Sequence, residues 1–366
     1  GGSGGAKPFL VTDFGAVGDG IHDDRAAIQA CIDQAAGRPV YLPPGTYRLT
    51  PNGNNVGLEM RSGLSMYGAG DDSLLVMDGG TDWTRGILGH QDLGLNLHHF
   101  ALDMQASTAQ ITGSGEQRHG IFWSACSGHI HDVLVKQPLG DGIFLWGGCH
   151  DCIVQDDRVM AGVTNNPRVG INFQGASQTV IRRNRVEGFD WCYKAEVDAG
   201  DAASVGVQVL QNVGIGTHGL ALNGSDTGRC RDYIIEDNDF QVQNSWDCGV
   251  WLSRCDQVTV RRNRVHGRAY HSVYLPFLAT DVLIEDNDLD TDSFAAVCVA
   301  NYGGRGPCDL VTIHANRAPL PPRLLQVASG IDTLTLTGNH YKAGATLIMG
   351  ADSVTHLTQS GNVGDL

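Results

Sequence analysis

An asparagine that returns at nearly constant spacing constrains this chain more than any other feature. The segments VGVQVLQNV, DYIIEDNDF, QVTVRRNRV, DVLIEDNDL, LVTIHANRA and TLTLTGNHY are β-branched runs that reach Asn212, Asn238, Asn263, Asn287, Asn316 and Asn339. Upstream, TVIRRNRV supplies Asn184, and CIVQDDRV puts Asp157 in the same slot. Successive gaps are 27, 28, 26, 25, 24, 29 and 23 residues. A period of this length means one supersecondary unit stacked on itself. Each unit holds short alternating strands and turn residues, with no helix-length apolar period. The unit is therefore one rung of a parallel β-helix, and an inward Asn at each corner can hydrogen-bond along the stack.

A second column fixes the same register. Eight residues before each of the first seven corner residues stand Cys149, Ala176, Ser204, Cys230, Cys255, Ala279 and Cys308. All are small, as a close-packed interior corner requires. Buried free thiols are expected there. Cys230 and Cys255 lie on adjacent rungs, about 4.8 Å apart by strand spacing, so geometry also allows a bridge. Cys149-His150-Asp151-Cys152 has half of a zinc pattern, and no second pair follows at finger spacing.

Near the start, residues 7–50 read KPFLVTDFGAVGDGIHDDRAAIQACIDQAAGRPVYLPPGTYRLT. Asp23 or Asp24 caps a predicted helix running to about Ala36, with Gly37 as its stop. Ile28, Cys31, Ile32 and Ala35 give that helix one apolar face, suited to covering the open end of a solenoid. DFGAVGDGIHDDRAAIQACIDQAA followed by VYLPPGTYRL resembles the N-terminal signature of the pectate-lyase-like superfamily, in particular the start of the mannuronan C5-epimerase catalytic module. The resemblance implies an all-β fold, a single-stranded right-handed parallel β-helix with an N-terminal capping α-helix. It does not carry the epimerase chemistry. Where that family has Tyr-Gly-Phe-Asp-Pro-His, this chain reads Asp141-Gly142-Ile143-Phe144-Leu145-Trp146, and the family's lysine falls near Arg118-His119. Asp141-Gly142-Ile143 and Thr217-His218-Gly219 also resemble pieces of the polygalacturonase motifs, whose Asp-Asp pair is replaced by Val169-Gly170.

The expected layout is a linker or expression remnant over 1–6 and a single β-helix domain over 7–366. Within it, 7–50 form the cap, about 51–345 the rungs, and 346–366 a C-terminal closure, with final rungs as the alternative, after Pro319, Pro321 and Pro322 interrupt the period. A net charge of −15, with four lysines against twenty-one arginines, excludes nucleic acid and anionic membranes as partners. No apolar run reaches the length of a membrane span. An extracellular location is expected.

Before each small-residue corner lies a second strand: HGIFWS, DGIFLW, VGINFQ, WCYKAE, HGLALN, CGVWLS and HSVYLP. With Ile121, Ile143, Ile171, Tyr193, Leu220, Val250 and Val273 inward, alternation turns out Phe122/Ser124, Phe144/Trp146, Asn172/Gln174, Lys194/Glu196, Ala221/Asn223, Trp251/Ser253 and Tyr274/Pro276. Rings beside amides suit sugar faces and hydroxyls. The expected site is a groove across the rungs centred on Lys194 and Glu196. The candidate catalytic residues are Glu196, Asp141, Lys194, Asp190, His218 and Asp247, with Asp198 flanking. The candidate substrate-binding residues are Trp146, Phe144, Asn172, Gln174, Arg168, Trp251, Tyr274 and His271. Plainer roles stand beside these: a surface ion pair for Lys194 and Glu196, turn residues for Asp141, Asp247, His218 and His271, and a covered sheet face for the aromatics. No metal or cofactor is expected. Calcium between rungs at Asp237, Asp239, Asp286 and Asp288 is the exception to weigh, with solvated carboxylates the plainer reading.

Three functions fit. Glycoside hydrolysis by an acid and a carboxylate, Glu196 with Asp141, Asp190 or Asp247, is favoured by the surplus of Asp and Glu. A lyase or epimerase acting on a uronate polymer needs a cation and a base, for which Lys194, Arg168 and His218 are available. A noncatalytic glycan-binding rod, such as a phage tailspike module, needs no charge at the centre. The partner is a polysaccharide or oligosaccharide in each case, and the chain is a monomer or a homo-oligomer, a trimer included.

Overall fold

The computed structural model describes residues 7–105, 116–162, 168–201, 203–243 and 248–366. The chain folds as a right-handed parallel β-solenoid of about 13 turns. Residues 7–366, expected as one domain, cluster into two compact units, 1–172 and 173–366.

In the first unit, each turn gives one strand to each of three parallel files. Inward side chains stack in columns: Val40, Met66, Leu97, Ile130 and Val154 in one; Tyr47, Leu75, Leu102, Val135 and Val159 in the next; Leu58, Ile87, Ile121, Ile143 and Ile171 in the third. All are buried, and each aliphatic contributes roughly 1.5–3 kcal/mol by leaving water. A glycine column explains why so many third-file strands open on Gly. A Cβ on Gly120 would sit 2.5 Å from the Gly142 carbonyl oxygen, and one on Gly142 would sit 2.7 Å from that of Gly170. Only hydrogen fits where backbone meets backbone so closely.

The second unit repeats the plan. Ile181, Val209, Ile235, Val260, Ile284, Ile313 and Leu336 form one buried column. Tyr193, Leu220, Val250, Val273, Val297 and Leu325 form another. Between files runs the asparagine ladder. Asn184 Nδ2 donates to Asn212 Oδ1 at 3.1 Å, and the same bond repeats through Asn238, Asn263, Asn287, Asn316 and Asn339 to Asn362. From Asn212 onward, each Nδ2 also donates to a backbone carbonyl of the neighbouring turn, as Asn238 does to Val209 O at 2.8 Å. Each acceptor Oδ1 also takes the backbone N–H of the Asn before it. An amide has two donors and one twofold acceptor, so the ladder uses its full capacity.

Asp157 holds this slot in the first unit, its Oδ1 accepting the Val133 N–H at 2.8 Å. Burial, with Asp132 and Asp156 adding, pushes its carboxyl well above the usual carboxylate range, against the pull of the Val133 bond. An acid raised in the folded state weakens folding as pH climbs from its unfolded value, about 3.9, through its folded value. Asp157→Asn is therefore expected to raise stability by about 1–2 kcal/mol at neutral pH. Its advantage shrinks toward pH 4, as urea midpoints measured across pH would record.

The small-residue column is fully buried from Cys149 through Ala176, Ser204, Cys230, Cys255 and Ala279 to Cys308. Cys230 stands opposite Cys255 without a bridge, and all ten cysteines are buried. Two expectations are corrected. The helix runs Arg25–Gln34, shorter than expected, and Asp24 does not cap it through its side chain. Asp24 instead accepts the Val17 and Gly18 N–H groups at 2.6 and 3.0 Å, fastening the preceding loop, while Asp23 Oδ1 accepts the Arg25 N–H at 3.2 Å. The predicted closure over 346–366 is a further turn. Thr346–Met349, Val354–Ser360 and Val363–Gly364 pair in parallel with the turn before, and Asn362 extends the ladder.

Candidate functional site

Third-file strands turn their alternate side chains outward, and the two units treat these positions differently. In the first unit they are closed over. Phe122 stands opposite Phe144, and Phe144 opposite Asn172. Phe122, Phe144, Ser124 and Asn172 are buried, and Trp146 alone of the expected aromatics there is well exposed, at 42%. Asp141, expected at an open groove, is fully buried. Its Oδ2 accepts from Asn172 Nδ2 at 3.0 Å, and its carboxylate lies 3.7 Å from both His119 Nδ1 and Arg168 Nε. Asp141 is thus held by the Asn172 amide with the Arg168 cation nearby, which suits a buried structural carboxylate better than a proton-delivering acid.

His119 occupies the strand-leading slot that Asp141 repeats one turn on, a position sequence reading left without a role. Its Nδ1 accepts the Asp141 N–H at 2.9 Å, and its Nε2–H donates to Gln117 Oε1 at 3.2 Å. Burial, then the charges of Arg168 and Arg85, lower its pKa to about 3, so the ring is neutral. Arg85 lies over the Phe122 ring at 4.7 Å. Arg118, near the expected position of the family's lysine, is buried and donates to the carbonyls of Gly79 and Met104 at 3.0 and 2.9 Å, tying backbone together. A cavity of ≈ 450 Å³ lined by Thr46, Arg48, Val76, Asp78, Asp103 and Gln105 lies on the second file, away from these groups.

In the second unit the outward positions stay partly open. Lys194, Ala221 and Trp251 share one register line, and Glu196, Asn223 and Ser253 the next. Lys194 Nζ lies 2.8 Å from Glu196 Oε2, with 18% and 23% of their side chains exposed. Asn223 Nδ2 donates to Glu196 Oε1 at 3.1 Å, Ser253 Oγ donates to Asn223 Oδ1 at 2.8 Å, and the Trp251 indole N–H donates to Ser253 Oγ at 2.9 Å. Every donor in this relay points toward the Glu196 carboxylate. A charge-assisted pair and a fixed amide orient it. Trp251 meets Tyr274 edge-on, with centroids 5.2 Å apart.

Other predicted residues separate from this centre. His218 stacks on Trp191 at 4.0 Å, and its Nδ1 lies 3.0 Å from Asp190 O and 3.4 Å from Asp190 Oδ1. Asp190 precedes and Glu196 ends the strand Trp191–Glu196, so about 20 Å of extended chain divides them. That exceeds the separation of a hydrolytic carboxylate pair, and Asp190 is corrected to a partner of His218. His271 is buried among Tyr270, Tyr274 and Phe294 rather than facing a groove. Gln174 is also buried, and its Nε2 donates to Asp198 Oδ2 at 2.7 Å, bringing an exposed second carboxylate beside the end of the Glu196 strand. Asp247 lies outside the described residues. Three of the four acidic residues weighed for calcium already have side-chain partners: Asp237 pairs with Arg262, Asp239 with the His266 ring, and Asp288 with Arg317. Asn223 and Ser253 were legible as outward residues, but only the register reveals their joint use.

Residues 9–76 match the family model for rhamnogalacturonase A/epimerase, pectate lyase-like proteins, and residues 105–317 match the model for the right-handed beta helix region. A mannuronan C5-epimerase of Azotobacter vinelandii is 42% identical over 87 residues, which cover 22% of this chain and 10% of that protein. The chain thus spans a small part of that relative's length. Among solved structures, another epimerase A-module from A. vinelandii superposes with a TM-score of 0.75 at 21% identity, covering 96% of this chain and 100% of the module. An α-1,3-glucanase catalytic unit from Streptomyces thermodiastaticus gives a TM-score of 0.65 at 16% identity, covering 98% of this chain and 69% of that one. At such identities the likeness is one of fold. No helix among the described residues is long and apolar enough to cross a membrane.

Proposed function

Because this chain belongs to the right-handed beta helix family, within the pectate-lyase-like superfamily, we propose that it is an extracellular enzyme that binds a neutral polysaccharide across the turns of its second unit and hydrolyses it at Glu196. One observation carries the reading: the relay of donors from Trp251 through Ser253 and Asn223, joined by Lys194, that converges on a partly open carboxylate. Such a carboxylate suits the base or nucleophile of glycoside cleavage, which gives up its negative charge by taking a proton from the attacking water or by forming an ester with the anomeric carbon as the leaving oxygen departs. Asp198, two residues on and held by Gln174, serves as the acid for the leaving oxygen. Trp251 and Tyr274 offer ring faces to a sugar, and Asn223 offers its amide.

A neutral substrate is preferred for an electrostatic reason. Lys194 already neutralises Glu196, so its charge is not available to a uronate carboxylate. The test is incubation with a panel of neutral and uronic polysaccharides. New reducing ends from a neutral polymer, without the ultraviolet absorbance of an unsaturated uronate, are expected. That absorbance would overturn the reading in favour of a lyase, and C5 epimerisation of mannuronan without chain cleavage would overturn it in favour of chemistry like that named for the epimerase relatives. Retained binding without any turnover would overturn it in favour of a glycan-binding rod.

A further inference from the structure

The first unit carries a second cluster of reactive side chains that the proposed hydrolysis does not use. His98 and His131 occupy the same position on adjacent turns, and Tyr67 lies one turn before His98. The His98 ring is sandwiched almost parallel between them, with centroids 5.2 Å from Tyr67 and 4.6 Å from His131. The next residue on each turn, His99 and Asp132, has a left-handed backbone, φ +56° and +55°. That corner sends the following Phe100 and Val133 into the core while His99 swings beside its neighbours. His98 Nδ1 and His99 Nδ1 are 2.8 Å apart, and one ring nitrogen from each of His98, His99 and His131 lies within 4.8 Å of the others.

We propose that His98, His99 and His131 form a binding site for a divalent transition-metal ion of the zinc class. Tetrahedral zinc with bonds near 2.0–2.1 Å sets its ligand nitrogens about 3.3 Å apart. His98 Nδ1 and His99 Nδ1 stand 2.8 Å apart, close to that value, and the His131 nitrogen lies within 4.8 Å, so His131 must turn out of its stack with His98 to aim its in-plane lone pair at the same ion. Asp132 supplies the supporting shell. Its Oδ2 lies 2.9 Å from His131 Nδ1, and an ionised carboxylate accepts only, so Nδ1 carries the proton and Nε2 keeps its lone pair for the metal. The same oxygen lies 3.9 Å from His99 Nε2. Stacking on Tyr67 holds the His98 ring before any ion arrives, and three imidazoles leave a fourth position open to water or a ligand. The ion would join two successive turns at their corner.

Full-length protein, stripped with chelator and desalted, is titrated with ZnCl₂ by calorimetry and with CoCl₂ by visible absorption. One equivalent of each is expected, with the intense visible bands of tetrahedral cobalt and a rise in Tm on adding zinc. His98→Gln and His131→Gln should each weaken binding by more than about 100-fold and remove the cobalt bands, and Asp132→Asn should weaken it about 10- to 100-fold. His150→Gln, at an exposed histidine elsewhere, should bind as the wild type does. Far-UV circular dichroism and metal-free Tm values near wild type establish that the variants are folded. Uptake below one equivalent in the wild type, or equal affinity in wild type and His98→Gln and His131→Gln variants, would overturn the site.

Discussion

Glu196→Gln is expected to lower polysaccharide hydrolysis by about 10²–10⁴-fold while leaving saccharide binding within a few-fold of wild type. The substitution keeps the shape and the Asn223 contact but removes the charge on which the Lys194 and Asn223 donors converge. The amide can neither attack an anomeric carbon nor accept a proton from water. Folding stability should move little, because a partly exposed ion pair is worth about 0–1 kcal/mol. Rates, saccharide affinity by calorimetry and Tm are measured on the same preparation. Turnover at the wild-type rate would remove Glu196 from the mechanism, and a large fall in Tm would assign it a structural role instead.

Asn263→Ala should cost about 3–5 kcal/mol of folding free energy, a large effect for a side chain of this size. Asn263 Oδ1 accepts the Asn238 N–H at 3.0 Å and Asn238 Nδ2 at 2.9 Å, and its own Nδ2 reaches Ile235 O, Arg261 O and Asn287 Oδ1. Alanine strands two buried donors on one side and weakens acceptors on the other, with no water to replace them. Asn263→Asp separates the halves of this argument. It keeps the acceptor for Asn238 but sets a carboxylate against three oxygens, so its deficit should shrink as acid protonates it. Urea unfolding at neutral and acid pH reads both. A loss below about 1 kcal/mol for Asn263→Ala would mean that the ladder follows the fold rather than supporting it.

The winding was legible in the sequence because a solenoid repeats its own contacts. An Asn every two dozen residues and a small residue eight positions earlier specify which residues stack, and the structure places Asn184 through Asn339 and Cys149 through Cys308 accordingly. Alternation correctly put Ile121, Ile143, Ile171, Tyr193, Leu220, Val250 and Val273 inside. It also put Lys194 and Glu196 outside. Two misplacements share a cause. Alternation assigns a side of the strand, but it does not say what packs over that side. Asn172 is on the outward side and still fully buried, and Asp141, expected beside the groove on an entering turn, is buried against it. Asp190 was joined to Glu196 because both belong to one turn, although strand rise alone holds them far apart. In the last turn, polar residues such as Gln359 stand in inward register opposite Leu336, so the weakened apolar pattern fits a closure as well as a final rung.

The histidine cluster marks the same boundary. LHHF and IHDV are ordinary strand pieces until the register sets His98 on His131 and the left-handed corner brings His99 alongside. The amino-acid sequence by itself determined the coil period, the identity of the stacked columns and the inward face of each strand, because those follow from short-range alternation and repetition. Only the tertiary structure decided which outward groups remain in water and which charges meet, because those depend on the distances between side chains that separate turns bring together.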